Sequence, residues 1–375
     1  MRKIEMVDLK QQYSRLKPQI NFTIQECLDN SVFIKGSQVT SFQKNLELYL
    51  NVSHVISCAN GTDALQIAMM ALGLKAGDEV IVPNFTYVAT AEVIGLLGLI
   101  PVLVDVNFNS FNINSQAIIQ AITDRTRLIV PVHLFGQCAD METIMQIAKK
   151  YNLFVIEDTA QAIGASYTFA NGTTKMAGTI GDIGTTSFFP SKNLGCYGDG
   201  GAILTDNEEL ATKLRMIANH GQSNQYYHEI IGVNSRLDSI QAAVLNVKLP
   251  HLDDFNKARQ KVAQYYDYYF KSFSELIIPF REVNSTHVFH QYTLKINNGK
   301  RNNFKQYLHD KGIPSMIYYP FPLHRQKAYQ SISKQIGELN ISEKLCNEVI
   351  SLPIHTEFEE EQLNYIVQSI TTYFN

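Results

Sequence analysis

Between residue 55 and about residue 205, short runs of aliphatic and β-branched residues alternate with stretches of helical periodicity. The strand candidates read HVISCA, DEVIVP, PVLVDV, RLIVPVHLFG, LFVIED, TTSFF and GAILT. Several are apolar throughout instead of alternating, as strands are when helices cover both faces of a sheet. The intervening segments carry their own signals. In TDALQIAMMALG, Leu65, Ala68, Met69 and Leu72 form one stripe and Gly73 is placed to end the helix. This alternation predicts an α/β fold with a mainly parallel, doubly wound central sheet.

The pattern changes at SRLDSIQAAVLNVKLPHLDDF. A long amphipathic helix is expected to begin near Asp238, with Pro250 bending or interrupting it. Helices and a few strands such as YTLKI follow. Thr356, with Glu359 three residues on, reads as a capping box for the last helix, whose buried stripe is Leu363, Ile366, Val367, Ile370 and Phe374. We expect a large domain over residues 1–245, including an N-terminal helical segment, and a smaller C-terminal α+β domain over 246–375.

Composition narrows the function. The 375 residues are 45% hydrophobic and 18% charged, enough apolar material for a large interior. A net charge of -3 offers no basic field for nucleic acid phosphates. The five cysteines form no CxxC pair, and their odd number suggests reduced thiols, not a disulfide framework. The N-terminal segment lacks the apolar stretch of a signal peptide. The longest apolar run, AEVIGLLGLIPVLVDV, is too short and too interrupted to span a bilayer. A cytoplasmic location without membrane association is expected.

Four features fall at strand ends, on what should be one edge of the sheet, where open α/β sheets bind ligands. In ANGTDAL, Gly61 and Thr62 follow a strand and open a helix, so free N–H groups face the crevice. This is either a phosphate seat or an ordinary helix cap. In VIEDTAQA, Asp158 ends a central strand beside Glu157, and a carboxylate so deep needs a cation, hydrogen-bond donors or a proton. In TTSFFPSKNLG, Lys192 follows a strand and a Pro–Ser turn, with Ser187 five residues earlier. It is a surface lysine or a buried, activated amine. In PNFTYVAT, Tyr87 approaches the same edge as a core aromatic or a stacking platform.

One ligand reconciles all four. Pyridoxal 5'-phosphate needs a lysine, a carboxylate for its ring nitrogen, a helix N-terminus and hydroxyl for its phosphate, and a flat side chain against its ring. No GxGxxG follows a strand and no GxxxxGK[ST] is present, so dinucleotide and P-loop readings fail.

These segments, together with FIKGSQVTSFQ, PVHLFGQCADM, GVNSRLDSIQAA and YYPFPLHRQKAY, resemble the DegT/StrS family of pyridoxal phosphate-dependent nucleotide-sugar aminotransferases along nearly the whole chain. Within the family the similarity is greatest to the WbpE type, which aminates UDP-2-acetamido-2-deoxy-3-oxo-D-glucuronate for lipopolysaccharide O-antigen. The resemblance implies an aspartate-aminotransferase fold, pyridoxal phosphate as cofactor, and a nucleotide-linked keto sugar and L-glutamate as substrates. It also implies a homodimer with shared active sites.

The resemblance further implies that Lys192 is the Schiff-base lysine and Asp158 the partner of the ring nitrogen. Gln161 matches a glutamine near the cofactor's phenolic oxygen, while Gly61, Thr62 and Ser187 match phosphate contacts. Tyr87 occupies the ring-stacking position, and Asn234 matches a residue reaching the neighbouring subunit's phosphate. Relatives with histidine for the lysine are dehydratases, so the lysine favours transamination. One departure stands out: Tyr318-Tyr319-Pro320 replaces the His-Tyr-Pro of WbpE-like enzymes. Arg236 could supply the charge for a sugar carboxylate, with Tyr318, Tyr319 and His324 as neutral contacts. The alternatives are C3 or C4 amination of a neutral TDP- or UDP-linked keto-6-deoxy sugar, and a non-catalytic cofactor sensor. Retention of the lysine argues against the sensor.

Overall fold

A computed structural model describes residues 1–375. The main sheet has eight strands: β1 (His54–Cys58), β2 (Glu79–Pro83), β3 (Ile100–Val104), β4 (Thr126–Ile129), β5 (Phe154–Asp158), β6 (Ile183–Ser187), β7 (Gly201–Thr205) and β8 (Lys334–Gln335). Their spatial order is β1-β7-β6-β5-β4-β2-β3-β8. The pairs β6–β5, β5–β4, β4–β2, β2–β3 and β3–β8 are parallel. Strand β7 runs antiparallel to both its neighbours, β1 and β6. The fold is α/β with a mostly parallel central sheet, as the alternation predicts.

The continuous apolar runs feed two cores, one on each face. Alternate residues of a strand go opposite ways. Val80, Val82, Leu128 and Ile156 join a core that includes the helices Gly61–Ala71 and Glu208–Ala218. Ile81, Ile129 and Val155 join the opposite one, packed on the helix Met141–Tyr151. The helix Gly61–Ala71 ends as expected, with Gly73 at φ +71°, a conformation that suits glycine.

After residue 238 the chain forms the helix Ser239–Lys248, a short 3₁₀ turn at Leu249–His251 containing Pro250, and the helix Leu252–Phe270. The expected division near residue 246 therefore falls within a helix. A separate core gathers Tyr266, Phe270, Tyr292, Leu294, Ile350 and Ile366 around a three-stranded antiparallel sheet of Leu276–Ile277, Tyr292–Ile296 and Val349–Leu352. The last helix, Glu360–Phe374, starts later than Thr356 suggested. Its cap is Glu359, in a capping box with Gln362, while the Thr356 hydroxyl donates to Glu357. A carboxylate cap satisfies the same free N–H that a hydroxyl would, so the acidic residue one turn on competes successfully for the position.

The C-terminal region also supplies an edge of the main sheet, where β8 pairs with β3. Glu79 fastens it. This carboxylate is fully buried and accepts from Lys334 Nζ at 2.6 Å, Thr123 Oγ1 at 2.6 Å and an Arg125 guanidinium nitrogen at 3.0 Å. Glu79→Gln should lower stability by about 1–3 kcal/mol, the scale of hydrogen bonds to a charged group whose cations are partly in water. Urea unfolding reads the difference. An unchanged midpoint would show that the carboxylate's charge contributes nothing to fastening β8.

Candidate active site

The carboxyl ends of β5 and β6 bring the chemistry together. Asp158 is the last residue of β5, pairs in register with Thr185 of β6, and is buried. Its Oδ2 accepts from Thr90 Oγ1 at 3.0 Å and its Oδ1 from the Ala160 N–H at 3.1 Å. Burial still lifts its pKa above the ordinary aspartate value. The Ala160 N–H, the Lys192 charge, Thr90 and His133 oppose that rise without cancelling it.

Lys192 lies on the turn after β6, its backbone N–H held by the Phe189 carbonyl at 2.8 Å. Lys192 is half-buried, and burial around its amine pulls the pKa down to about 8 against the pull of Asp158 upward. The two groups are each held in an uncomfortable charge state. A cationic ring nitrogen would relieve the carboxylate, and condensation with an aldehyde would consume the amine. The donor set therefore fits pyridoxal phosphate.

The phosphate seat fits as well. In the helix Gly61–Ala71, Asn60 caps the Asp63 N–H through its side chain at 2.8 Å and the Ala64 N–H through its carbonyl at 3.1 Å. The N–H groups of Gly61 and Thr62 are the ones left over. A Cβ on Gly61 would lie 2.8 Å from the Ser187 Cβ, and one on Gly201 would run into the Asn60 carbonyl. Only glycine lets the helix start approach the ends of β6 and β7 so closely. Ser187 Oγ accepts from the Phe189 N–H at 3.3 Å, which leaves its own proton to donate.

Gln161 and Tyr319 close another side. Gln161 Oε1 accepts from the Phe135 N–H at 2.8 Å, and its Nε2 donates to the Tyr319 hydroxyl at 3.0 Å. The Tyr319 ring lies 6.2 Å from that of Tyr87, which is 58% exposed, and 6.0 Å from that of Tyr318. His324 is tied down elsewhere: its Nδ1 takes a hydrogen bond from Asn84 at 3.0 Å, and its Nε2 meets Glu343 at 3.1 Å. Asn234 and Arg236 do not join this cluster through any hydrogen bond. Asn234 is exposed and Arg236 half-buried, on a loop anchored by Ser235, whose hydroxyl accepts from the Ala59 N–H at 3.0 Å and donates to Asp63 at 2.6 Å.

Two neighbours, Thr90 and His290, escaped the sequence reading, and Glu157 was noted there without a role. Thr90 lies a turn beyond Tyr87 in the same PNFTYVAT segment, yet nothing local announces that it reaches β5. Glu157 has a different task from Asp158. Fully buried, it accepts from His133 Nε2 at 2.9 Å and from the N–H groups of Gly178, Ile180 and Gly181 at 2.6–3.0 Å. Because His133 Nδ1 accepts from the Ala139 N–H, the ring proton sits on Nε2. Burial works to raise Glu157, but these donors outweigh it and hold the carboxyl below the usual range. His290 is buried, and its imidazole is held well below its ordinary pKa, first by burial and then by the charges of Lys192 and Arg259.

Residues 15–371 match the DegT/DnrJ/EryC1/StrS aminotransferase family, and the chain belongs to it. It is 45% identical over 373 residues to a "pleiotropic regulatory protein" of Geobacillus stearothermophilus, covering 99% of this chain and 98% of that one. It is also 45% identical over 368 residues to the UDP-2-acetamido-2-deoxy-3-oxo-D-glucuronate aminotransferase of Pseudomonas aeruginosa, covering 98% and 99%. A UDP-N-acetyl-3-dehydro-alpha-D-glucosamine 3-aminotransferase of Acidithiobacillus ferrooxidans shares 43%, covering 98% and 97%. Among solved structures, a DegT DnrJ EryC1 StrS aminotransferase from Brucella abortus superposes with a TM-score of 0.94 at 41% identity, covering 99% of this chain and 100% of that one. NtdA from Bacillus subtilis, with bound cofactor PMP, gives 0.88 at 33%, covering 96% and 82%. The chain is a pyridoxal phosphate-dependent nucleotide-sugar aminotransferase. No helix is long and apolar enough to cross a membrane.

The charge arrangement has a measurable consequence in the cofactor-free protein. Labelling of Lys192 by an amine-selective reagent, followed by mass spectrometry across pH, should show a midpoint near about 8, and Asp158→Asn should move it lower because the carboxylate's upward pull is gone. A midpoint near 10.5, the ordinary lysine value, would refute the enclosure of the amine.

Proposed function

We propose that this family member transfers the amino group of L-glutamate to the keto carbon of UDP-2-acetamido-2-deoxy-3-oxo-D-glucuronate, for O-antigen or another surface polysaccharide. The observation that carries the acidic substrate is Arg236. It is half-buried, forms no ion pair in its own protomer, and lines a cavity of about 490 Å³ with Lys35 and Arg215 and no acidic residue. A cation so placed suits a sugar carboxylate. The 45% identity to the Pseudomonas uronate enzyme supports the same choice.

Gly61, Thr62 and Ser187 would hold the cofactor's phosphate, Asp158 would keep its ring nitrogen protonated, Gln161 would sit by its phenolic oxygen, and Tyr87 would cover its ring. When bound, pyridoxal phosphate supplies an electron sink for the carbon that loses a proton. Lys192 does the rest of the acid-base work. Burial lowers the amine's pKa, which suits it both to take a proton from the donor's α-carbon and to return it one position away.

The same reading makes the enzyme a homodimer with shared sites. Asn234 and Arg236 lie outside the cluster around Lys192 in their own protomer, and a partner could present them to it. The exposed apolar residues Tyr226, Tyr227 and Ile231 on the neighbouring loop, the last 85% exposed, would be covered by the partner. A second substrate reading rests on Tyr318. This neutral side chain stands where a histidine was expected, which suits a neutral keto sugar at C3 or C4.

Direct competition between the 3-oxo uronate and its uncharged 6-hydroxyl counterpart, with glutamate as donor, decides between the two. The uronate should win in kcat/KM, and Arg236→Met should cut its kcat/KM about ten- to a hundredfold, the loss expected for a hydrogen bond to a charged group, while sparing the neutral sugar. Equal or better turnover of the neutral sugar would transfer the assignment to it. Sharing has its own test. Mixing Lys192→Ala chains with Asn234→Ala chains should restore sites with both residues intact, so activity rises above either parent. If subunits exchange and activity stays flat, the sites are not shared.

A further inference from the structure

Lys248 is an unusual residue for the core of a protein. It is 1% exposed, at the end of the helix Ser239–Lys248, and no carboxylate pairs with it. Its Nζ donates to the Gly195 carbonyl at 2.7 Å and stands 4.3 Å above the Tyr197 ring centre. Both contacts lie on the stretch that follows Lys192. The Tyr197 ring is braced edge-on by Tyr13 at 6.0 Å, and its hydroxyl is buried without a partner. A buried cation is expensive unless it is paired or fully hydrogen-bonded, and this one has a single acceptor and an aromatic face.

Neighbouring contacts show what the expense supports. Gln241 lies two turns before Lys248 on the same helical face. Its Oε1 accepts from the Tyr197 N–H at 2.8 Å. Past the Pro250 turn, Asn256 accepts from Asn193 Nδ2 at 2.7 Å. The helices on either side of Pro250 therefore grip positions 193, 195 and 197 in succession, immediately after Lys192. Of the three grips, Lys248 is the only charged one.

We propose that Lys248 is a positioning residue for catalysis: held on the Gly195 carbonyl and the Tyr197 ring, it fixes the segment from Asn193 to Tyr197 and through it the aim of the Lys192 amine. The ionisable groups facing it are the Cys196 thiol and the Tyr197 phenol, with Tyr13 behind the latter. None is an anion at neutral pH that could neutralise it. Burial lowers its pKa to about 8, while Cys196 pulls weakly the other way. A methylene chain of the same length would fill the space at less electrostatic cost, so packing alone does not explain a lysine here.

The experiment compares Lys248→Met with the parent, each loaded with pyridoxal phosphate and each cofactor-free. Loss of the buried charge offsets loss of the hydrogen bond, so the melting temperature should stay within about 3 °C of the parent. In the cofactor-free protein, hydrogen–deuterium exchange should quicken in peptides covering 189–198 and nowhere else. In the loaded enzyme kcat should fall about ten- to a hundredfold, as for a reacting group displaced by a fraction of an ångström to an ångström, with KM for the amino donor little changed. Tyr197→Leu, which removes the ring beneath the ammonium and leaves its hydrogen bond, should act in the same direction and stands in if the first variant does not fold. Unaltered exchange over 189–198, or exchange raised throughout the protein in step with a large fall in melting temperature, would overturn the positioning role.

Discussion

Everything in this active site depends on keeping an amine and a carboxylate out of water at the ends of two adjacent parallel strands. In solvent, only a trace of Lys192 would be neutral at neutral pH, and Asp158 would be one more surface charge. Enclosure moves them towards each other, the amine down to about 8 and the carboxyl up. Their mutual attraction opposes both shifts but does not erase them. The site thus stores electrostatic discomfort that its cofactor is suited to relieve, and the rest of the fold has to stop these groups from relieving it in other ways.

The protein does this by dividing labour between neighbours of the same chemical type. Glu157 and Asp158 are adjacent carboxylates on one strand and therefore face opposite sides of the sheet. Glu157 is saturated by His133 and three backbone N–H groups, and is stabilised as an anion. It anchors the 178–181 turn that leads into β6. Asp158 receives only Thr90 and the Ala160 N–H, which leaves it able to face another cation. The histidines follow the same logic. His133 is committed to Glu157 and His324 to Asn84 and Glu343, whereas the buried imidazole of His290 stays neutral within the field of Lys192.

Much of this was legible in the chain because it is written in local patterns. The seven strands from HVISCA to GAILT, the Gly73 stop and the break at Pro250 all follow from period, cap and ring geometry over a few residues. Lys192 and Asp158 stood out because a charge within an apolar strand end demands an explanation. What stayed hidden depends on contacts across the sequence. Nothing near Thr90 says that it reaches a strand 68 residues away, and nothing near Lys334 says that it will join β3 and meet Glu79. Periodicity reveals which face of an element is buried and not what buries it. The cap of the last helix was misplaced for a different reason: Thr356, Glu359 and Gln362 offer two overlapping capping boxes, and spacing alone does not rank them.

The antiparallel run of β7 was also invisible locally, and it bears directly on the chemistry. A parallel neighbour for β6 would need a crossover of a dozen or more residues, usually a helix packed on a sheet face. That helix would begin where Lys192 now stands and carry the chain away from the crevice. An antiparallel neighbour lets the chain turn back at the sheet's edge, so the whole connection from Phe188 to Gly200 stays at the carboxyl ends of the strands. It can then be gripped from the side by Gln241, Lys248 and Asn256. Gly201, the last glycine of GCYGDGG, serves this return: without a Cβ it lets the chain re-enter the sheet against the Asn60 carbonyl, beside the helix that begins at Gly61. One reversed strand thus places Lys192 and the helix start at Gly61 on the same rim, which a wholly parallel sheet would have separated by a helix.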